Sequence, residues 1–511
     1  MNKKKKDPQT PPAMKPLPFI LSAFCLLTAI ALGADKPNFI VINIDDMGYA
    51  DIGPFGSKLN RTPNLDRMAK EGRKLTCFYA APVCSPSRSA LMTGCYPKRV
   101  LPIPNVLFPG AAVGLNPAEH TVAELLKEAG YATACIGKWH LGDQPEFLPP
   151  RRGFDYYLGL PYSNDMGPGE DGSKSSLDEP LPKAPANQST AEKVDEVGLT
   201  DHQPPLPLVE NNTVIARVRQ DEQQGLVARY TAAAVKFIES HPDKPFFLYL
   251  AHNAVHFPIY PGKKWAGRSP NGHYSDWVEE VDWSVGQVLD TVRGLHLDSR
   301  TFVLFTSDNG GTPRAVNAPL RGFKGSTWEG GMREPTIAWW PGKIPADTAT
   351  DAITAMFDVL PTLVHLAGSN VPTDRKLDGE DIWPALTGEP GAKHPHEVFY
   401  FYRGLTLEGV RAGPWKLRLA AANQPAVKNA QAQVAVAQDQ LYNLDSDIGE
   451  SKDVATENPG EMARLRALAD AMKEDLGLTG IGPGVRPLGR VANPQPLIGN
   501  DGRIREGFAP K

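Results

Sequence analysis

The chain has 511 residues, 41% of them hydrophobic and 22% charged, with a formal net charge of −4 at pH 7. This composition is ordinary for a soluble globular protein, and the length is too great for one small core. The acidic balance argues against a general polyanion-binding surface, but it does not exclude a small basic pocket for one anionic group.

The N-terminal segment has the pattern of an export signal. A basic cluster at residues 3–6 precedes a nearly all-apolar run at 16–32, and Gly33 and Ala34 supply small residues for cleavage. We predict a signal peptide over residues 1–34, a periplasmic or secreted mature protein and no stable membrane insertion. A single membrane anchor is the alternative, since the run is slightly shorter than a typical span.

Cysteine is scarce for an exported chain of this length, with five residues in all. Cys25 lies in the predicted signal, which leaves Cys77, Cys84, Cys95 and Cys135. This number does not make a disulfide framework, so we expect at least one cysteine to serve chemistry rather than cross-linking.

Strand and helix patterns alternate along most of the chain. Buried-strand patterns lie at 38–44, 131–136, 246–250 and 301–306. Helical patterns lie between them, at 65–71, 121–129, 228–240 and 277–293. This alternation predicts an α/β fold with a large mixed, mostly parallel sheet sandwiched by helices.

Chemically capable side chains follow each of the four strands. They are Asp45 and Asp46, Lys138 and His140, His252 and His256, and Asp308 and Asn309. Ligands of such sheets bind beyond the carboxyl ends of the strands. We therefore predict an active site at this edge.

Two later regions differ from this pattern. The stretch at 165–212 is rich in Pro, Gly, Ser and charge, which predicts a surface excursion, either a loop over the active-site mouth or a disordered insertion. Antiparallel strand patterns follow at 398–403, 409–412 and 415–419, with a helix pattern at 459–476. The predicted units are a main catalytic domain (35–390), a smaller C-terminal α+β domain of antiparallel sheet and helix (391–480) and an irregular tail (481–511).

The most specific motif is the sequence CSPSR at 84–88, continued as SALMTG at 89–94. The pattern C-x-P-S-R followed by x-x-L-x-T-G resembles the signature of the sulfatase family, which has the alkaline phosphatase superfamily fold. The resemblance extends from about residue 37 to about residue 455, and the segment GLPYSND at 159–165 is similar to arylsulfatases of the arylsulfatase A type. Pro86 and Ser87 suit a helix start, and a helix N-terminus favours an anionic substrate.

The resemblance gives Cys84 a chemical role. In the family this cysteine is oxidised to formylglycine by a formylglycine-generating maturation enzyme, which would be a partner of this chain. The alternative is a buried structural cysteine, which is the common fate of a free thiol.

An oxygen-rich set follows the first and last of the four strands. Three carboxylates and a carboxamide suit a hard cation, and clustered carboxylates otherwise repel and take up protons. Alternatively, each pair caps a helix or turn. The resemblance implies one calcium ion, although magnesium stays open. The predicted metal ligands are Asp45, Asp46, Cys84, Asp308 and Asn309.

The remaining roles also come from the resemblance. Catalytic roles are implied for Cys84, Arg88, Lys138, His140, His256, Asp308 and Lys324. Substrate-binding roles are implied for Lys138, Ser163, His256 and Lys324. His256 matches the family motif better than His252 does, and Lys324 shortly precedes the segment EGGMREP at 329–335.

The implied activity is hydrolysis of sulfate esters, of sulfated carbohydrates or aryl sulfates, through a hydrated formylglycine. Asp308 would take the proton of the attacking hydroxyl, His256 would protonate the leaving alcohol, and His140 would remove the second proton so that sulfate leaves. Two alternatives remain. One is a phosphodiesterase or phosphonate monoester hydrolase of the same superfamily, and the other is a secreted carbohydrate-binding protein with a lapsed active site.

Overall fold

A computed structural model describes residues 1–3, 8–9, 36–183, 196–389, 391, 394–420 and 438–510. The apolar run on which the predicted signal peptide rests lies outside these residues. Within the described ranges, no helix has the length and apolar character that crossing a membrane requires.

Strand β1 (Asn38–Ile44) lies at the centre of the fold and is buried along its whole length. Successive side chains of a strand point to opposite faces of its sheet. Accordingly, Phe39 and Val41 belong to one hydrophobic cluster, whereas Ile40 and Ile42 belong to another. The continuous apolar run in the sequence therefore reflects a sheet that is covered on both faces.

The large sheet contains ten further strands among the described residues. They are β2 (Arg73–Tyr79), β4 (Ala132–Gly137), β5 (Tyr156–Gly159), β6 (Pro207–Glu210), β7 (Thr213–Arg217), β8 (Phe246–Ala251), β9 (Thr301–Ser307), β10 (Arg333–Trp339), β11 (Thr348–Thr350) and β12 (Thr354–Ala355). The order is β11-β2-β10-β9-β1-β8-β4-β5-β6-β7, with β12 beside β2. Strands β9, β1, β8, β4 and β5 run parallel, and β10 is antiparallel to both of its neighbours.

Helices cover both faces of this sheet. On one face lie Pro63–Glu71, Leu226–Glu239 and His273–Gly294. On the other lie Cys84–Thr93, Val122–Glu128 and Val359–Leu366. Shorter helices are Pro97–Val100, Gln220–Gln223, Glu329–Met332 and Trp383–Thr387. The predicted mixed α/β sheet is confirmed.

A second, antiparallel sheet follows, as predicted. It consists of β13 (Val398–Arg403), β14 (Thr406–Ala412), β15 (Trp415–Arg418) and β16 (Gln440–Asn443). The helix Pro459–Ala471 packs on it through Leu465, which meets Leu417 and Leu441. The domain boundaries proposed from the sequence stay predictions.

The intersheet charge cluster joins the two sheets and consists of Tyr79, Glu329, Arg333, Arg411, Lys416 and Glu450. The Lys416 Nζ atom lies 2.8 Å from Glu329 Oε1 and 2.9 Å from Glu450 Oε1, with all three side chains buried. Tyr79 donates a hydrogen bond of 2.7 Å to the second oxygen of Glu329. Both oxygens of Glu329 therefore have partners.

Two regions are more ordered than their composition indicates. Strand β6 lies inside the stretch predicted as a surface excursion. The tail after residue 480 is mostly irregular, but β17 (Gly489–Arg490) pairs with β3 (Val113–Gly114). Arg486 forms a bidentate pair with Glu119 at 2.7 and 2.8 Å. Phe508 is buried, and its carbonyl accepts a hydrogen bond from the Val214 N–H.

Candidate active site

The register of the central strands brings their carboxyl ends to one edge. In β1, Asn43 pairs with Ala251 of β8, and Ile44 pairs with Ser307 of β9. The Asp308 N–H donates to the Ile44 carbonyl at 2.9 Å, and the Lys138 N–H donates to the Ala251 carbonyl at 2.7 Å. The residues that follow these strands therefore start from neighbouring positions.

Cys84 is the first residue of the helix Cys84–Thr93 and is only 2% exposed. Val83, in extended conformation, precedes it, and Pro86 lies in the first turn, where proline is tolerated because the N–H has no helical partner. The Ser87 hydroxyl accepts from the Ala81 N–H at 2.9 Å and so fixes the approach to the helix. The motif thus holds Cys84 at a buried helix N-terminus.

Cys84 lies between an acidic group and a basic group. Its Sγ is 3.4 Å from Asp45 Oδ1 and 3.5 Å from Lys324 Nζ. Ligand atoms of Asp45, Asp46, Cys84 and His256 all lie within 4.8 Å of one another, and all four residues are buried. The structure thus gathers three of the five predicted metal ligands with the predicted acid His256.

The other two predicted ligands contact the same cluster. The Asp46 N–H donates to Asp308 Oδ1 at 3.5 Å, and Asn309 Nδ2 donates to Asp46 Oδ1 at 2.8 Å. Asn309 Oδ1 is buried and has no hydrogen-bond partner among the described residues. A buried carbonyl oxygen without a donor, beside three carboxylates, fits an oxygen-preferring cation such as calcium.

Three cations compensate the carboxylates. Lys138 Nζ is 2.6 Å from Asp45 Oδ2, and Lys324 Nζ is 2.6 Å from Asp46 Oδ1. Arg88 donates from Nε and Nη2 to Asp308 Oδ2 at 2.9 and 2.8 Å. The Arg88 and Lys138 side chains are fully buried, whereas that of Lys324 is 19% exposed. The site therefore opens to solvent on the Lys324 side.

Two further predicted residues, Ser163 and His140, lie around this cluster, and His256 contacts it from one side. Ser163 Oγ accepts from Lys138 Nζ at 3.2 Å and lies 3.4 Å from His256 Nδ1. His256 Nε2 lies 3.7 Å from Asp46 Oδ2. His140 Nε2 is 2.9 Å from the Leu107 carbonyl, while its Nδ1 has no partner among the described residues.

Burial and charge determine the protonation of this cluster. Burial alone would raise the pKa of Asp45, but the cations around it, Lys138 foremost, hold that pKa well below its ordinary value. Burial, followed by the charges of Asp308 and Asp45, raises the pKa of the Cys84 thiol. Burial and the neighbouring Lys138 hold the pKa of His140 well below its ordinary value, so its imidazole is neutral.

His252, which also follows β8, does not join the cluster. Its Nε2 lies 3.0 Å from Ser284 Oγ in the helix below, and burial lowers its pKa to about 3. This position supports the preference for His256 over His252 as the site histidine.

Two other carboxylates near the site were not predicted from the sequence. Burial, with the charges of Asp308 and Asp46, holds the pKa of Glu334 well above its ordinary value, and neither of its oxygens has a partner among the described residues. Asp51 accepts from the Gly48 N–H at 2.7 Å and the Val316 N–H at 2.9 Å, so it connects the loops after β1 and β9. Glu334 lies inside the segment EGGMREP, and Asp51 follows Asp46 by five residues. Both could have been found from the sequence only by their closeness to these motifs.

A buried cluster of carboxylates and cations around one side chain is suited to hydrolysis of an anionic ester, because fixed charges stabilise the charge that develops on the reacting group. The family model described as Sulfatase matches residues 37–369, which include every strand of the large sheet and every predicted site residue. The chain therefore belongs to the sulfatase family, and it is an enzyme of the sulfuric ester hydrolase class.

Individual relatives agree with this membership. Human arylsulfatase A is 40% identical over 409 residues, which cover 76% of this chain and 77% of that protein. N-acetylgalactosamine-6-sulfatase of Canis lupus familiaris is 39% identical over 411 residues, covering 76% of this chain and 74% of that protein. The solved structure of Ps i-CgsB in complex with k-i-k-neocarrahexaose has a TM-score of 0.69 and 30% identity, covering 85% of this chain and 92% of that one.

Proposed function

We propose that this sulfatase hydrolyses sulfate esters of sulfated carbohydrates, with Cys84 matured to formylglycine and one calcium ion bound. The position of Cys84 Sγ, within 3.5 Å of both Asp45 Oδ1 and Lys324 Nζ, carries the proposal. A nucleophile formed there would have an acidic metal-binding cluster on one side and a sulfate-binding cation on the other. The similarity to the carrahexaose-bound structure supports a carbohydrate substrate.

Maturation and calcium would supply the chemistry that the cysteine lacks. Formylglycine would supply the nucleophile at position 84, and calcium would supply positive charge for it and for the sulfate oxygens. Asp45, Asp46, Asp308, Asn309 and residue 84 would hold the ion.

The other side chains bind the sulfate and move protons. Lys324 and Lys138 neutralise the sulfate oxygens, since both ammonium groups reach the centre of the cluster. Arg88 is engaged by Asp308, so it holds that carboxylate in position to accept a proton. The His256 Nδ1–H donates to the Phe257 carbonyl, so the acid role requires the imidazolium form, in which Nε2 also carries a proton for the leaving alcohol.

His140 has the opposite state. Its Nε2–H donates to Leu107, so Nδ1 keeps its lone pair, and a neutral imidazole is suited to accept a proton. The same cluster thus offers an acid and a base with separate positions.

The experiment combines mass spectrometry with turnover. In active protein, the peptide that contains residue 84 should carry an aldehyde, and Cys84→Ala should lower turnover of 4-nitrophenyl sulfate by at least ~10⁴-fold, as removal of a catalytic nucleophile does. Cys95→Ala is the matched control, because Cys95 contacts Thr93 and Arg486 rather than the site. Full activity with an unmodified thiol would refute maturation.

Substrate class is tested with the same protein. Sulfate esters should be cleaved far faster than the matching phosphate monoesters and diesters. The reverse preference would favour the phosphodiesterase or phosphonate monoester hydrolase alternative.

Export is part of the proposal, and N-terminal sequencing of the mature protein should find cleavage near residue 34.

A further inference from the structure

A surface groove on the large-sheet unit has no role in the proposed chemistry. Two adjoining cavities of about 630 and 410 Å³ share Asp221, Gln224 and Lys263 in their walls. We call this surface the Trp265 groove. Its walls contain Gln224, Lys263, Lys264, Trp265, Arg268 and Trp283, together with the acidic residues Asp221 and Glu280 and, in the second cavity, Asp178 and Glu179.

The groove combines aromatic and cationic side chains. The rings of Trp265 and Trp283 are half-buried, 6.2 Å apart between centroids and inclined at 44°. The Arg268 guanidinium lies 5.2 Å from the Trp265 ring centroid. Lys263 and Lys264 are exposed, and none of these three cations forms an ion pair within the described part of the chain. Lys264 and Arg268 are therefore available to an anionic ligand, whereas the charge of Lys263 also acts on Asp221 in the same wall.

The loop that carries these side chains is fixed from below. The Gly262 N–H donates to Glu280 Oε2 at 2.7 Å, and the Trp265 N–H donates to the Gly262 carbonyl at 2.7 Å. A Cβ at position 262 would lie 2.4 Å from Glu280 Oε1, so a larger residue there would require the Glu280 carboxyl group to shift. A surface that is ordered before binding loses less entropy when a ligand binds.

Hydrogen bonds connect the groove wall to the active site. Asn164, which follows Ser163, donates to Gln223 Oε1 at 3.1 Å and to the Pro258 carbonyl at 3.3 Å. Pro258 follows His256 by two residues, and the segment continues directly to Lys263. A sugar chain whose sulfate lies in the active site could therefore extend along this wall.

We propose that the Trp265 groove binds the part of a sulfated oligosaccharide that extends beyond the sugar whose sulfate is hydrolysed. The tryptophan faces offer apolar surface to the C–H face of a sugar ring, and the Gln224 amide can bond to hydroxyl groups. Lys263, Lys264 and Arg268 bind sulfate groups that are not hydrolysed. This inference rests on the proposed carbohydrate substrate, and it adds a site that favours longer oligosaccharides.

The first test measures binding without turnover. Cys84→Ala protein is titrated with sulfated di- and hexasaccharides of the chondroitin, heparin and carrageenan types. For at least one type, the hexasaccharide should bind at least about tenfold more tightly than the disaccharide, and added salt should reduce this advantage because exposed charges are screened. If no hexasaccharide binds more tightly than its disaccharide, the proposal is wrong.

The second test asks whether the groove residues cause the tighter binding of the hexasaccharide. Trp265→Ala and the double variant Lys263→Ala/Lys264→Ala, each added to Cys84→Ala, should remove most of the hexasaccharide advantage. The lysine variant tests the proposal even where the tryptophan variant folds poorly, because both lysines are exposed. Lys70→Ala/Lys343→Ala removes the same charge from exposed lysines outside the groove and should keep the advantage. Equal effects of the two lysine pairs would overturn the assignment.

Turnover separates this inference from the proposed function. If protein that carries formylglycine cleaves di- and hexasaccharides with equal kcat/KM in all its groove variants, the groove proposal fails while the proposed function stands. If it cleaves no sulfate ester although the groove binds hexasaccharides, the proposed function fails while the groove stands.

Discussion

The active-site cluster and the intersheet charge cluster both place several ionised groups out of solvent, yet they differ in how their polar atoms are paired. In the intersheet cluster, Lys416 lies between Glu329 and Glu450, and both Glu329 oxygens have partners. In the active site, Asn309 Oδ1 and His140 Nδ1 are buried without partners among the described residues. Unpaired buried polar atoms are costly, and these two fit a bound ligand because they lie beside clustered carboxylates and cations.

One short segment contributes to both clusters. Glu329 begins the helix Glu329–Met332 and joins the intersheet cluster, whereas Glu334, in β10, lies where burial and then the charges of Asp308 and Asp46 raise its pKa. The same motif thus supports the fold on one side and the site on the other. Burial alone therefore does not distinguish a structural charge cluster from a functional one. In the intersheet cluster even Glu450 Oε1, which lacks a hydrogen bond, has an ion-pair partner in Lys416 at 2.9 Å, whereas Asn309 Oδ1 and His140 Nδ1 have neither among the described residues.

The largest expected effect is on the metal site. Asp46→Ala removes the carboxylate that contacts both Lys324 and Asn309, so kcat/KM for a sulfate ester should fall about 10³-fold. Calcium at 100 times its Kd should stabilise the wild type by about 2.7 kcal/mol against unfolding and the variant by much less. Asp243→Ala, at an exposed position, is the control. Normal calcium stabilisation of Asp46→Ala would show that the site is misassigned.

The second prediction concerns the intersheet cluster. Lys416→Met leaves two buried carboxylates without their shared cation, so the free energy of unfolding in urea should fall by about 3–5 kcal/mol. Activity per folded molecule should change less than about twofold, because Lys416 contacts no proposed site residue. Adding Glu329→Gln and Glu450→Gln should restore part of the stability. A selective loss of activity without loss of stability would break the distinction between the clusters.

A smaller effect is expected at the edge of the active-site cluster. His256→Ala should reduce kcat for sugar sulfates by about 10²-fold, because an alkoxide needs protonation to leave. The reduction should be under about tenfold for 4-nitrophenyl sulfate, whose leaving group is stable as an anion. His252→Ala is the matched control, since His252 contacts Ser284 instead of the cluster. Equal losses on both substrates would remove the acid role from His256.

The smallest effect concerns a buried carboxyl that belongs to neither cluster. Burial raises the pKa of Glu280 to about 8, above its ordinary value of 4.5. Between these values the folded chain holds a proton that the unfolded chain has released, so the contribution of Glu280 to stability falls as pH rises through this window. Glu280→Gln should therefore raise the free energy of unfolding by about 2 kcal/mol at pH 8.5 and change it little at pH 4.5. Urea unfolding at the two pH values measures this, and an equal change at both would contradict the assigned cause.

Much of the fold was predictable because its central strands are continuous apolar runs. The pattern at 38–44 matches β1 at both ends, and the run at 301–306 differs from β9 by one residue. Strand β10 was missed because Arg333, Glu334 and Pro335 occupy its start. In the folded chain Arg333 donates to the Thr76 carbonyl and to Glu329, and Glu334 is buried. The tail was predicted as irregular from its composition, which carries no signal for its contacts with Glu119 and Val214.

The residue types in the cluster were also predictable from the sequence, but the ion pairs between them were not. A motif identifies residue types at strand ends, so Asp45, Lys138 and Asp308 could be selected. That Arg88 contacts Asp308 while Lys138 contacts Asp45 depends on side-chain directions across three elements. The Trp265 groove likewise joins segments distant in the sequence, and neither Trp265 nor Trp283 lies in a motif.

The docked tail has a consequence for the order in which the chain can assemble. Residues 486–508 cover Glu119, pair with β3 and bond to Val214, so the surface of the large-sheet unit is completed by segments made hundreds of residues later. A chain that leaves the ribosome from its N-terminus exposes that surface until translation has passed the second sheet. These contacts therefore form at the end of folding, and the unit that contains the active site is complete only after the tail has been synthesised.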